Sequence, residues 1–219
     1  MRKRSHASLK GLSAYYLANE LNMTPDSLYE RQRALMRAGL IKGKEGWGPG
    51  SGVRATPHAV AMLLIAVLAA DSLSDVVEST KRYAWLRAEK GVCPITGKKT
   101  FGSALVAILA SPSLARKALT IRVFRGGMFG PGAVIDWLVR EENPTSWFSN
   151  PGARKHPWGI LDIEASLRGF PLSDLASLLL AVNPGASLSA PKEDIEAMKG
   201  PSRKELLEHE RKHHSSRKE

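Results

Sequence analysis

Apolar residues in the first part of the chain recur at the spacing of amphipathic helices. A short helix is expected over residues 13–21, where apolar side chains share one side. A second helix is expected over 25–38, because Thr24 is a favourable N-cap and Pro25 a favourable first residue. Gly39 then supplies a C-terminal signal. The pattern therefore predicts two helices separated by a tight turn.

A third helix, 57–70, is apolar over most of its length and begins with the same signal, Thr56 followed by proline. It is shorter than the roughly 20 residues that cross a bilayer, so a buried helix is expected and no membrane association. The Gly-rich stretch "GKEGWGPGSG" precedes it and cannot be helical. Brief strands at 40–42 and 53–55 are expected to flank this stretch.

The second half of the chain changes from helical periodicity to alternation. Helices are predicted over 74–89 and 101–110, with a loop between them and an interruption or restart at Pro112. Beyond them lie three β-rich segments, a closing helix capped by Ser173, and a long polar loop between the second and third strands. These segments span 117–125, 133–141, 159–169 and 172–182. Their aliphatic residues suit either a sheet that covers helices or a subunit interface.

The charge is concentrated at the N-terminal end. The formal net charge is +11, and residues 1–54 hold ten Lys/Arg against four Asp/Glu, a net +6. A polyanionic partner, such as nucleic acid or an anionic membrane surface, is indicated, and of these two we expect nucleic acid and no membrane. The single cysteine, Cys93, excludes an internal disulfide and a Cys-cluster metal site, and it fits a reducing cytoplasm. The N-terminus contains no signal-type apolar run.

The order helix, turn, helix, Gly-rich loop resembles a known DNA-binding architecture. The segment "AYYLANELNMTPDSLYERQRALMRAGLI" followed by "KGKEGWGPGSGVRATP" is similar to bacterial winged helix-turn-helix regulators, including those of prophages and mobile elements. The resemblance covers about a quarter of the chain. It implies that helix 25–38 enters a major groove, that residues 42–54 form a wing on the DNA backbone, and that the protein is a cytoplasmic transcription regulator such as a repressor.

The helical periodicity separates the two faces of the second helix. At 100° per residue, Leu28, Gln32 and Leu35 share one side and are expected to face the core. Arginine can pair with guanine and carboxylates with cytosine on the opposite side. Basic residues of the wing and of the N-terminal arm would contact phosphates. The residues expected to contact DNA are Asp26, Ser27, Tyr29, Glu30, Arg33, Arg37, Lys42, Lys44, Arg54, Arg2, Lys3 and Arg4.

Three other motifs point to enzymes and fail on their context. His209 and His213 form an H-E-x-x-H match, but it lies in a charged tail with few apolar anchors and six residues from the end of the sequence. The stretch "GVCPITGKKT" lacks the spacing of a phosphate-binding loop. Asp136, Asp162 and Glu164 lie on predicted strands, where carboxylates usually face solvent. No catalytic residue, metal or cofactor is therefore expected.

The sequence thus predicts an α+β protein with three parts. Residues 1–70 form a winged helix-turn-helix domain, 71–189 an α+β domain for dimerisation or regulation, and 190–219 a flexible charged tail. The expected function is sequence-specific binding of double-stranded DNA as a homodimer. Two other classes stay open: a DNA-processing, packaging or recombination accessory factor with the same winged domain, and a module that binds only proteins.

Overall fold

Mixed helix and antiparallel sheet make this an α+β protein, as expected. The computed structural model describes residues 8–43, 52–125, 132–139, 144–150 and 163–183. All of them belong to one compact unit, Met1–Leu188. The charged tail, with its H-E-x-x-H match, lies outside the described residues.

The N-terminal helical segment begins four residues earlier than predicted. It consists of α1 (Leu9–Leu12), a π-helical turn (Ser13–Leu17) and α2 (Ala18–Glu20). Ser8 caps it, because its hydroxyl accepts a hydrogen bond from the Gly11 backbone N–H at 3.1 Å. This cap lies five residues upstream of the predicted start at residue 13, which explains why the helix begins earlier.

The second helix, α3 (Pro25–Arg37), matches the prediction closely. The Thr24 hydroxyl accepts from the Ser27 backbone N–H at 3.2 Å, and Pro25 occupies the first turn. Gly39 has φ +70°, a left-handed conformation that favours glycine and ends the helix. The turn between α2 and α3 is therefore short, and it ends at the N-cap of α3.

A buried helix lies at the centre of the unit. This is α4 (Pro57–Ala69), capped by Thr56, with ten of its thirteen residues buried. It packs against α3, the next helix α5 (Val76–Ala84), the later helix α6 (Phe101–Ala110) and the sheet. Helix α4 packs against elements that precede residue 70 and against elements that follow it. The packing is therefore continuous across the predicted domain boundary, and the division there stays a prediction.

Five antiparallel strands form one sheet, in the order β1-β4-β3-β2-β5. The strands are β1 (Arg87–Ala88), β2 (Ala118–Arg125), β3 (Gly132–Trp137), β4 (Thr145–Ser149) and β5 (Ile163–Arg168). Three were predicted. A loop was expected between the second and third predicted strands, and this was wrong because β4 lies there. The helix predicted over 74–89 ends early, because Arg87 and Ala88 pair with β4.

The remaining described helices pack on each other, and the longer one also packs on the sheet. Pro112 restarts a short helix, α7 (Pro112–Ala115), and α8 (Gly169–Val182) closes the described fold. The prediction that Ser173 caps α8 was wrong, since the helix begins at Gly169 directly after β5 and Arg168 is its N-cap. No described helix is long and apolar enough to cross a membrane.

Four apolar side chains of β2 and β3 lie in this core. Ile121, Val123, Ile135 and Trp137 are all fully buried, and the Trp137 indole N–H donates to the Ser146 hydroxyl at 2.9 Å. Two roles were left open for these side chains, packing of the sheet against helices and a subunit interface. These four side chains pack against helices. They are not available for a subunit interface.

Candidate nucleic-acid interface

Helix α3 has one buried face and one solvent-facing side. Leu28, Gln32 and Leu35 are buried, which confirms the predicted inward side. Arg31 joins them with only 9% of its surface exposed. An arginine on the packed side was not predicted, because charged residues are rarely buried without partners.

Arg31 is hydrogen-bonded by its own helix and lies near a second positive charge. Its Nη1 donates to the Ser27 hydroxyl at 2.7 Å, which turns that hydroxyl toward Arg31. Burial lowers the pKa of Arg31, and the positive charge of Arg125 lowers it further. Arg125 in turn pairs with Asp71 and donates from Nε to the Leu68 carbonyl at the end of α4. Arg31 is therefore hydrogen-bonded within α3, and Arg125 is bonded to the end of α4 and to Asp71.

The solvent-facing side of α3 carries the residues expected to read bases. Asp26 and Arg37 are exposed, and Tyr29, Glu30 and Arg33 are half-buried. Arg33 Nη1 lies 3.0 Å from Glu30 Oε1, an ion pair one turn apart on the helix. The side chain of Arg33 is therefore held along the helix by Glu30, and its charge is partly neutralised.

Tyr29 joins α1 to this surface. The Lys10 ammonium lies 4.7 Å from the centre of the Tyr29 ring, and the Arg33 guanidinium lies 6.0 Å from the same ring. Both cations are within range of an attractive cation–π interaction. Lys10 was counted in the N-terminal charge but was not expected at the site, because the helix that carries it was predicted to begin at residue 13.

The predicted wing is only partly described, and its flanking strands do not form. Residues 40–43 and 52–56 contain no strand; instead Arg54 forms an isolated antiparallel bridge with Ser8, and the Val53 carbonyl accepts from the Leu9 N–H at 2.8 Å. Pairing with the segment that precedes α1 replaces the expected pairing with 40–42. Lys42 and Arg54 are both exposed.

Four of the expected contact residues cannot be placed. Lys44, Arg2, Lys3 and Arg4 lie outside the described residues, as does the rest of loop 44–51. The placed candidates nevertheless share one region. The segment with Arg54 pairs beside α1, and Gly43 lies next to Met36 of α3, since a Cβ at Gly43 would be 3.0 Å from Met36 Cε.

The strand carboxylates are arranged around a cation. Asp136 lies 3.0 Å from Arg122 and also accepts from the Thr145 hydroxyl at 3.0 Å. Glu164 lies 4.0 Å from Arg122 on the same face of the sheet. Within the described residues no group of three or more His, Cys, Asp or Glu side chains could hold a metal ion. Asp162 lies outside these residues.

The loop with the phosphate-loop-like sequence is closed by its own backbone. The Cys93 N–H donates to the Lys98 carbonyl at 2.7 Å, and the Gly97 N–H donates to the Cys93 carbonyl at 2.8 Å. Cys93 is fully buried, with its sulfur 3.4 Å from the Ser146 hydroxyl. The thiol therefore lies against β4, which carries Ser146.

Comparisons of the chain with models of protein families, with curated proteins and with solved structures find no match.

Proposed function

We propose that the chain binds double-stranded DNA sequence-specifically, as a transcriptional regulator, with the solvent-facing side of α3 in the major groove. The observation that carries this proposal is the division of α3 into a packed side and an accessible side bearing Arg33 and Arg37. Arginine pairs with guanine O6 and N7, and Asp26 or Glu30 can accept from cytosine N4.

The dimensions and support of α3 favour this use. Its thirteen residues extend about 20 Å, and a major groove about 12 Å wide accepts a helix of ordinary diameter. The helix is capped by Thr24, and Leu28 and Leu35 are buried where it packs against α4 and α5. A helix fixed in this way loses little freedom on binding, so its side chains meet the bases in a defined register.

Cations around α3 would bind the DNA backbone. Lys10, Lys42 and Arg54 are exposed, and they belong to the N-terminal quarter where the positive charge is concentrated. Because phosphate contacts release counterions, such residues give affinity for every duplex and make it depend on salt. Because no strands form at 40–42 and 53–55, a paired wing lends no support, and the proposal rests on the helix-turn-helix and on these cations.

A selection from random duplexes tests the proposal. The full chain would be used to enrich bound duplexes, and its affinity for the enriched sequence and for a scrambled duplex would be measured over a range of salt concentrations. We expect a preference of at least about 10³-fold for the enriched sequence. Equal affinity for both duplexes would contradict regulation and favour an accessory DNA-binding role. Affinity lost at moderate salt would favour a protein-binding module.

A further inference from the structure

Strand β5 lies at one end of the sheet. All six of its residues pair with β2, from Thr120↔Arg168 to Arg125↔Ile163. In the described part of the chain, no strand pairs with its other edge. Because the backbone groups of an antiparallel strand point alternately to its two sides, about half of those in β5 face away from β2. Such an edge is a template for another strand.

The side chains of β5 divide cleanly between the two faces of the sheet. Glu164, Ser166 and Arg168 are exposed and share the face that carries Arg122. Ala165 and Leu167 are half-buried and belong to the opposite face, which the helices cover. The outer face of this edge is therefore polar, with one acid and one base, and the inner face is apolar.

The sequence of β5 is complementary to a second, antiparallel copy of itself. If two copies of β5 pair antiparallel with Ser166 on the two-fold axis, Glu164 stands opposite Arg168 of the second copy. Ala165 then stands opposite Leu167 of the second copy, and both relationships occur twice. Opposite charges placed directly across two strands stabilise the pairing. A shift by one residue would set Glu164 opposite Leu167 and lose this match.

We propose that two copies of the chain associate through β5, with this register, into one continuous antiparallel sheet. The interface is isologous, because each residue meets the same partner on both sides of the axis. Glu164 can serve it without leaving Arg122: one carboxylate oxygen, Oε2, lies 4.0 Å from Arg122 Nη1, and the other is available to Arg168 of the second copy. Backbone hydrogen bonds supply the affinity and the charge pairs set the register.

The inference deepens the proposed function, since a dimer would present two copies of α3 to two half-sites. Its test needs no DNA, so a failed dimer and a failed DNA-binding proposal give separate results. The chain offers a suitable background, because Cys93 is fully buried and is not expected to form a disulfide between molecules.

Cysteine crosslinking tests the register directly. Directly opposite Cα atoms in an antiparallel pair are about 4.5–5.5 Å apart, within the range that a disulfide bridges. Mild oxidation of S166C should therefore give covalent dimers. E164C and R168C alone should not, because each position would be roughly 14 Å along the strand from its own copy. An equal mixture of E164C and R168C should crosslink as a heterodimer.

Charge reversal gives a second, independent readout by sedimentation. E164R and R168E should each place like charges opposite one another and shift the protein toward monomer by at least tenfold in dissociation constant. The double variant E164R/R168E restores opposite charges across the two strands and should dimerise more tightly than either single variant. E89R is a matched control, because Glu89 is exposed just after β1 near the far end of the sheet.

Several outcomes would overturn the proposal. A wild-type protein that sediments as a monomer up to high micromolar concentration would do so. Equal crosslinking of all three single cysteine variants would indicate random collision. A double reversal that dimerises no better than either single reversal would exclude this pairing of Glu164 with Arg168.

Discussion

The Lys10 ammonium lies 4.7 Å from the centre of the Tyr29 ring, so the first helical turn and α3 present one surface. A cation over a tyrosine face is attracted to it but keeps its outer side in water. Lys10 is thus held beside α3 in a position where a phosphate could bind it. This contact fixes the position of one of the positive charges in the N-terminal quarter of the chain.

Replacing Lys10 tests whether it contacts the DNA backbone. Lys10→Ala should weaken binding to every duplex by a similar factor and reduce the slope of log affinity against log salt by about one. Fluorescence anisotropy with an enriched and a scrambled duplex measures both quantities. Lys98→Ala is the control, since Lys98 is exposed on a loop distant in sequence from α3. Loss of preference without a change in slope would contradict a phosphate contact.

Arg33 and Arg37 should behave differently from Lys10. Arg33→Ala and Arg37→Ala should each weaken binding to the enriched duplex by about 1–3 kcal/mol and relax the preference at one base pair, if they read bases. The scrambled duplex should be affected much less. Arg82→Ala, at an exposed position on α5, provides the comparison. A uniform loss over all sequences would place these arginines on phosphates instead.

The Glu30–Arg33 ion pair limits the charge that α3 presents. Glu30→Gln should raise affinity for the scrambled duplex several-fold, because it removes a negative charge and frees Arg33 from a partner at 3.0 Å. Glu78→Gln is a matched control: Glu78 forms the same i,i+3 pair with Lys81, at 3.1 Å on α5. If Glu30 also accepts from a cytosine, preference for the enriched sequence should fall at the same time.

Alkaline pH should destabilise the protein partly through Tyr83. Burial raises the pKa of Tyr83 to about 12, opposed by Arg82 and Arg125, and its hydroxyl donates to the Phe124 carbonyl at 2.7 Å. The unfolded chain loses this proton near pH 10, so the stabilisation is complete below about pH 10 and is lost as pH rises toward 12. The free energy of unfolding should fall by roughly 1–3 kcal/mol from this group.

Tyr83→Phe isolates that contribution in denaturant unfolding measured from pH 9 to pH 12, where ~3 pH units cover the titration. The variant should lose less stability over this range than wild type. Burial also raises the pKa of Tyr16 to about 12, with Glu20 and Asp174 adding to the effect, so the variant keeps some alkaline dependence. Identical slopes for the two proteins would show that Tyr83 ionises as readily in the folded state.

Close packing of α5 against α6 should make Gly102 intolerant of a side chain. A Cβ at Gly102 would lie 2.9 Å from the Ala84 carbonyl oxygen, a backbone atom that cannot rotate away. Gly102→Ala should cost about 1–2 kcal/mol of unfolding free energy after the gain in helix propensity. Gly132→Ala is the control, because its nearest atoms would be at 3.8 and 3.9 Å. Equal stability of both variants would mean that the helices can separate.

Local signals predicted the starts of two helices correctly. Thr24 with Pro25, and Thr56 with Pro57, placed the starts of α3 and α4 correctly, because a cap and the restricted proline ring act on their own turn. The three strands with alternating apolar residues were also found. The two strands that were missed, β1 and β4, are short, and β1 has only two residues. A strand of this length forms because it finds a neighbour, which composition does not reveal.

The candidate surface shows the same division. Helical periodicity identified the inward side of α3, since Leu28 and Leu35 had to be buried together. Arg31 follows Leu28 by three residues and lies near the same side, but its burial was not predicted because a charged side chain is rarely buried without a partner. The contact of Lys10 with Tyr29 was equally hidden. A residue before the predicted helix start has no assigned direction until the chain folds.

The amino-acid sequence by itself determined where helices begin, which sides of them are apolar, and where positive charge accumulates. Caps, glycines and periodicity act over one or two turns, so they need no information about distant residues. The tertiary structure alone decided that Arg54 pairs with Ser8 and that β5 forms an edge of the sheet. Strand pairing joins residues far apart in the chain, and its free energy depends on which partners packing brings together.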